Sequence, residues 1–196
     1  MAKALTYLWV MCAFPALAQA QASAAAPPPD AEQIAAAVQA LPNDFRSTAT
    51  VLGYHAGAPG LVTLRQETGE FICLAQNPAA KNFHVACYHK SLEPFMARGR
   101  ALRAQGVKDP QVDTVRFAEI KAGKLPMPNQ AGMYQLFGGK LDPATGTVTG
   151  AQALFVMYLP GATAASTGLS DKPQPSGPWI MFPGTPKAHI MLAPKM

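Results

Sequence analysis

Apolar positions change period along this chain, and each change predicts an element. Between Asp30 and Leu41 the spacing of Ile34, Val38 and Leu41 fits a short helix that Asp30 caps and Pro42 stops. From Ala49 the pattern turns to β-branched and aromatic runs at 49–54 (ATVLGY), 60–66 (GLVTLRQ) and 70–76 (EFICLAQ), with glycine-containing turns between them, which predicts a strand meander. A fourth run, 82–88 (NFHVACY), returns against 70–76 and places Cys73 beside Cys87. Helical spacing resumes in the middle of the chain. Ser91 is read as a cap and Pro94 lies in the first turn, with Leu92, Phe95, Met96 and Leu102 forming an apolar stripe opposite Arg100 and Arg103. Asp109 and Pro110 open a second helix whose Val112, Val115 and Ile120 face a core before Gly123 ends it.

The last third reads as strands again, at 132–138, 152–159, 178–182 and 187–192, with a turn-rich stretch around Asp142 and Thr145 between the first two. Residues 160–177 form the longest unpatterned segment, rich in Pro and Gly, of the kind that serves as a binding loop or lid or is partly disordered. The sum is an α+β fold: an antiparallel sheet of several strands with two or three helices, in one compact domain over 30–196.

The N-terminus modifies this picture. Lys3, an apolar run from Ala4 to Ala18, and small residues at 18 and 20 have the three parts of a secretory signal peptide over 1–20. Residues 21–29 (QASAAAPPP) then form a flexible Ala/Pro-rich leader. No later run approaches the roughly 20 apolar residues of a membrane span, so a periplasmic or secreted protein is expected. Cleavage would remove Cys12 and leave Cys73 and Cys87, a pair most simply joined as a disulfide in an oxidising compartment. His84 and His89 flank Cys87, but alternation along a strand puts His84 on the opposite face from Cys87, and the spacing matches no usual zinc pattern. No metal site and no cofactor are indicated.

Composition adds a charge argument. The 196 residues carry 16 Lys and Arg against 11 Asp and Glu, and the surplus is concentrated between residues 81 and 124. A basic helical face of this kind would meet an anionic envelope component through counterion release. Nucleic acid is not expected, because aromatic interleaving and recognisable motifs are missing and export is anticipated.

Catalytic grammar is sparse. There is no Gly-x-Ser-x-Gly elbow, no His-Glu-x-x-His, no phosphate loop and no dinucleotide fingerprint. The residues with most chemical potential are His84, His89, Glu93, Trp179 and His189. His89 and Glu93 are four apart at a helix start, a spacing that would set a base beside its orienting carboxylate. Trp179, which follows the long loop, would anchor it or stack on a ligand. His189 shares a strand face with Lys187 and Met191. The seven methionines after residue 20 form no tight Met-x-Met or Met-His cluster, which favours packing over copper binding.

Taken together, ATVLGY, LVTLRQ, CYHKSLEPFMARGR and AHIML resemble a group of exported bacterial proteins of unknown function that share this order of segments over about 45–192. The resemblance implies export and a single domain, and it assigns no catalytic residue. Three readings remain open at this level. The first is a non-enzymatic binding domain for an anionic or small-molecule partner, using the 160–177 loop and the basic helices. The second is a hydrolase or metal-dependent enzyme, which requires at least two of His84, His89, Glu93 and His189 to converge in one pocket. The third is a structural envelope protein with no ligand.

Overall fold

The computed structural model describes residues 26–142, 144–175 and 177–194. The expected signal peptide and residues 21–25 of the leader lie outside the described residues.

Helix α1 (Asp30–Ala37) continues through a 3₁₀ turn, Val38–Ala40, and a short helix α2 (Asn43–Arg46) follows Pro42. Asp30 lies inside the helix and makes no capping bond; its carboxylate instead meets His55 Nε2 at 3.0 Å. Strands β1 (Thr50–Gly53), β2 (Val62–Arg65), β3 (Phe71–Leu74) and β4 (His84–His89) come next, then helices α3 (Glu93–Ala104) and α4 (Gln111–Lys121). The C-terminal third supplies β5 (Ala131–Phe137), β6 (Lys140–Asp142), β7 (Thr147–Thr149), β8 (Gln152–Tyr158), helix α5 (Ala164–Thr167), β9 (Trp179–Met181) and β10 (His189–Leu192). The turn-rich stretch before β8 is the small β6–β7 hairpin.

Eight strands form one mixed sheet in the order β2-β1-β3-β4-β5-β8-β10-β9. The meander expected over 49–76 is corrected here: β1 lies between β2 and β3, antiparallel to the first and parallel to the second. Residues 66–70 cross the start of β1 instead of turning back as a hairpin. Thr50 holds this crossing, donating through Oγ1 to the Glu67 carbonyl (3.0 Å) and accepting from the Glu67 N–H (3.1 Å). Gly69 passes so close that a Cβ there would lie 2.4 Å from the Thr48 carbonyl oxygen, so only glycine fits the crossing.

Helices cover both faces of the sheet. On the front, Ala37, Val38 and Leu41 pack on Val51, Cys73, Val85 and Cys87. On the back, Leu92 and Phe95 pack with Tyr88, Val156 and Tyr158, and Phe117 and Ile120 of α4 join them. Cys73 stands directly opposite Cys87 in the β3–β4 register and is disulfide-bonded to it, beneath α1. Gly99 in α3 gives room to α4, since a Cβ at 99 would meet Arg116 Nη1 at 2.8 Å. The segment 160–177 contains α5, closed by reciprocal Thr163 and Ser166 bonds and ended by Gly168 at φ +69°. The Ser170 carbonyl accepts the Ile180 N–H at 2.9 Å, which lays this segment along the edge strand β9. Among the described residues, no helix is long and apolar enough to cross a membrane.

Candidate functional site

The front cover is narrower than the sheet. Its helical elements reach as far as Tyr134 and Leu136 on β5. Beyond β5 three front-facing side chains on β8 and β10 stand at the surface, Phe155 37%, Met157 44% and Leu192 41% exposed, whereas Ile180 on the same face of β9 is buried. Directly opposite residues of antiparallel strands share a face. The registers Tyr134–Phe155–Leu192 and Gly132–Met157–Ile190 therefore form two rows across β5, β8 and β10. These rows line a groove of 370 Å³ that Pro178, just before β9, completes.

Three physical features define what the groove accepts. Among the side chains in the two rows and Pro178, only Tyr134 carries an oxygen or nitrogen atom, and its ring is fixed edge-on to Phe155 at 5.4 Å. The three floor strands each have a neighbour on both sides, so their backbone N–H and C=O groups are used within the sheet. Gly132 gives the floor its depth, because a Cβ built there would meet no atom within 4 Å. A largely apolar molecule with at most one hydrogen-bonding group fits this lining, and the volume is in the usual range of about 300–1,000 Å³ for small-ligand sites.

The five residues singled out from the sequence lie elsewhere. His84 is on the back of β4, opposite in face to Cys87 as alternation requires; its Nε2 lies 2.8 Å from Gln135 Oε1, and it lines a separate depression with Tyr54 and Gln76. His89 is on the front of β4, edge-on to Phe71 at 6.0 Å. His89 Nδ1 accepts from the Ser91 backbone N–H (3.3 Å), and its Nε2 lies 3.3 Å from Glu70. His89, and not Ser91, is thus the capping side chain of this helix start.

Glu93 faces the back. It accepts from the Tyr88 hydroxyl at 2.5 Å and from Arg100 Nη2 at 2.5 Å, while Arg100 Nη1 donates to the Tyr88 oxygen at 3.0 Å. Burial, reinforced by the Glu93 carboxylate, pushes the Tyr88 hydroxyl well above the usual phenol range. The expected pairing of His89 with Glu93 is therefore not formed. His89 is still extended, at φ −60° and ψ 135°, so the step from 89 to 93 is not a helical one and the two side chains leave on opposite faces.

Trp179 and His189 share the back of β9 and β10. Trp179 is buried, which excludes ligand stacking on an open indole face, and its Nε1 has no partner among the described residues. His189 packs against Tyr158 at 5.0 Å and Phe182 at 5.6 Å, and its Nδ1 donates to the Lys187 carbonyl at 2.7 Å. Three strand intervals of about 4.8 Å separate His189 from His89, which is also on the other face. Among the described residues, no group of three His, Cys, Asp or Glu is placed to hold a metal ion.

Among the described residues, ion pairs take up the arginines of the expected basic face but not its lysines, Lys90 excepted. Arg98 is bidentate to Glu119, Arg100 meets Glu93, Arg103 meets Asp109, and Arg116 meets Asp113. The acidic residues of the same segment thus take up the four arginines, and the excess charge rests on lysines.

None of the five residues singled out from the sequence lines the groove. One signal pointed to it: 154–158 (LFVMY) is apolar at consecutive positions, which marks a strand dressed with apolar side chains on both faces. The number of helices gave no indication that the front cover would stop short of that strand. No protein family, curated sequence or solved structure matches this chain, so its site is read from geometry alone.

Proposed function

We propose that this chain is an exported, non-enzymatic binding domain whose partner is a small, largely apolar molecule held in the groove across β5, β8 and β10. One observation carries the reading. Three of the five exposed large apolar side chains among the described residues, Phe155, Met157 and Leu192, stand on one uncovered stretch of sheet and surround a concave site of ligand size.

Surface apolar residues scattered singly need no explanation, but a contiguous set around a cavity does. The disulfide supports an oxidising destination, and residues 1–20 serve as the signal peptide in the same proposal. An anionic partner has less support, because the arginines that would meet it are already paired. The enzymatic alternative has less support too, because His84, His89, Glu93 and His189 line no common pocket.

The test is a fluorescence titration with the apolar probe N-phenyl-1-naphthylamine. Saturable binding at one site is expected, with displacement by a medium-chain fatty acid. Phe155→Asp should weaken the probe by about tenfold or more, as expected for a charge set in an apolar site. Phe182→Ser, an equally exposed position on the other face, should not. Unsaturable binding, or equal loss in the two variants, would overturn the assignment.

A further inference from the structure

Met157 is the one exposed methionine among the described residues; Met96, Met127, Met133, Met181 and Met191 are all partly buried. It is also a wall of the groove, directly opposite Gly132 on β5 and Ile190 on β10. Its side chain therefore lies where solvent oxidants reach it and where a ligand would touch it.

We infer that Met157 is an oxidation site that switches the groove from apolar to polar and releases its ligand. The inference rests on the groove being the binding site. The oxidant is a peroxide of the extracellular or periplasmic medium, with hydrogen peroxide as the simplest case. The Met157 thioether attacks one peroxide oxygen and the O–O bond breaks. A sulfur–oxygen bond forms, and the departing hydroxide takes the proton from the new S–OH group and leaves as water. Sulfur is oxidised by two electrons and the peroxide is reduced by the same two, giving one methionine sulfoxide and one water.

The consequence follows from polarity. A sulfoxide oxygen is a strong acceptor, whereas the sheet floor has its backbone donors engaged, Gly132 and Ile190 directly opposite offer no side-chain donor, and the one hydroxyl of the lining, on Tyr134, belongs to the other row. A bound apolar ligand would strip water from that oxygen and return no hydrogen bond. The empty groove leaves it hydrated, so oxidation favours the ligand-free state. The change is reversible by sulfoxide reduction, unlike higher oxidation of a thiol.

The experiment treats the intact protein with graded hydrogen peroxide, maps each methionine by peptide mass spectrometry, and titrates N-phenyl-1-naphthylamine before and after. Met157 sulfoxide should form ahead of the five partly buried methionines. Probe Kd should rise by about tenfold in step with it. In Met157→Leu, whatever its starting affinity, peroxide should leave Kd where it began. Oxidation of Met157 without a change in Kd would overturn the switch, as would an equal peroxide-dependent loss in Met157→Leu. In both of those cases the groove would remain a binding site. Absence of saturable binding by the untreated protein would instead overturn the groove itself, and the switch with it.

Discussion

Lys187 donates to Asp113 at 2.8 Å across a sequence separation of 74 residues, and so ties the chain entering β10 to helix α4. The other Asp113 oxygen accepts from Arg116, which is 4% exposed. The Arg116 guanidinium lies 3.7 Å from the Phe95 ring centroid and donates to the Phe95 carbonyl at 3.1 Å. One carboxylate thus balances a buried cation and fixes the β9–β10 connection on the back of the sheet.

Asp113→Ala should therefore destabilise the protein by about 3–5 kcal/mol, because it leaves a buried guanidinium without its counter-charge. Urea unfolding monitored by circular dichroism checks this. A loss below about 1 kcal/mol would mean that water replaces the carboxylate at little cost.

The same carboxylate gives an acid limb to stability. Burial alone would raise the Asp113 pKa, but the hydrogen bonds from Lys187 and Arg116 outweigh it and hold the group below its ordinary value of 3.8. A depressed folded-state pKa contributes stability above the unfolded value, and that stability is lost as pH falls through the folded value. Wild type should lose stability from about pH 4 downward more steeply than Asp113→Asn. Parallel curves would contradict the assignment.

His189 acts in a higher window. Burial, partly offset by its bond to the Lys187 carbonyl, holds its pKa below 6.5. The unfolded chain then binds a proton that the folded chain resists, so this part of stability is complete above pH 6.5 and declines as pH falls below it. Thermal melts across about pH 5–8 should show this slope in wild type and not in His189→Gln. An unchanged slope in the variant would place the titrating group elsewhere.

The disulfide closes a separation of 14 residues beneath α1, with both cysteines fully buried. Replacing Cys73 and Cys87 together by Ala should cost about 3 kcal/mol from loop entropy. Urea midpoints at constant m-value measure it. A cost near zero would show that β3–β4 pairing alone restricts the unfolded chain.

Strand and helix periods revealed the eight strands of the large sheet and helices α1, α3 and α4, because alternation and helical stripes are local properties, while the short elements α2, β6, β7 and α5 carried no such period. The Cys73–Cys87 pair was legible for the same reason, since two runs joined by an Asn-Pro turn have one obvious register. The strand order was not. Glu67-Thr68-Gly69 has the composition of a hairpin turn, and only the contact of Gly69 with Thr48 shows that it crosses β1. The His89–Glu93 pairing failed because one residue ends a strand and the other begins a helix. The groove depends on where α1 and α2 stop, a relation between elements distant in sequence that no local period records.

The most direct test of the account is the affinity of Gly132→Val for N-phenyl-1-naphthylamine, read beside its melting temperature. Residue 132 lies in a regular strand with open space above it, so Val should fold at least as stably as Gly and place its side chain in the groove. An equal or higher melting temperature is expected, together with a Kd raised by about tenfold or more. A variant that is equally stable and binds the probe as wild type does would contradict the groove as the ligand site.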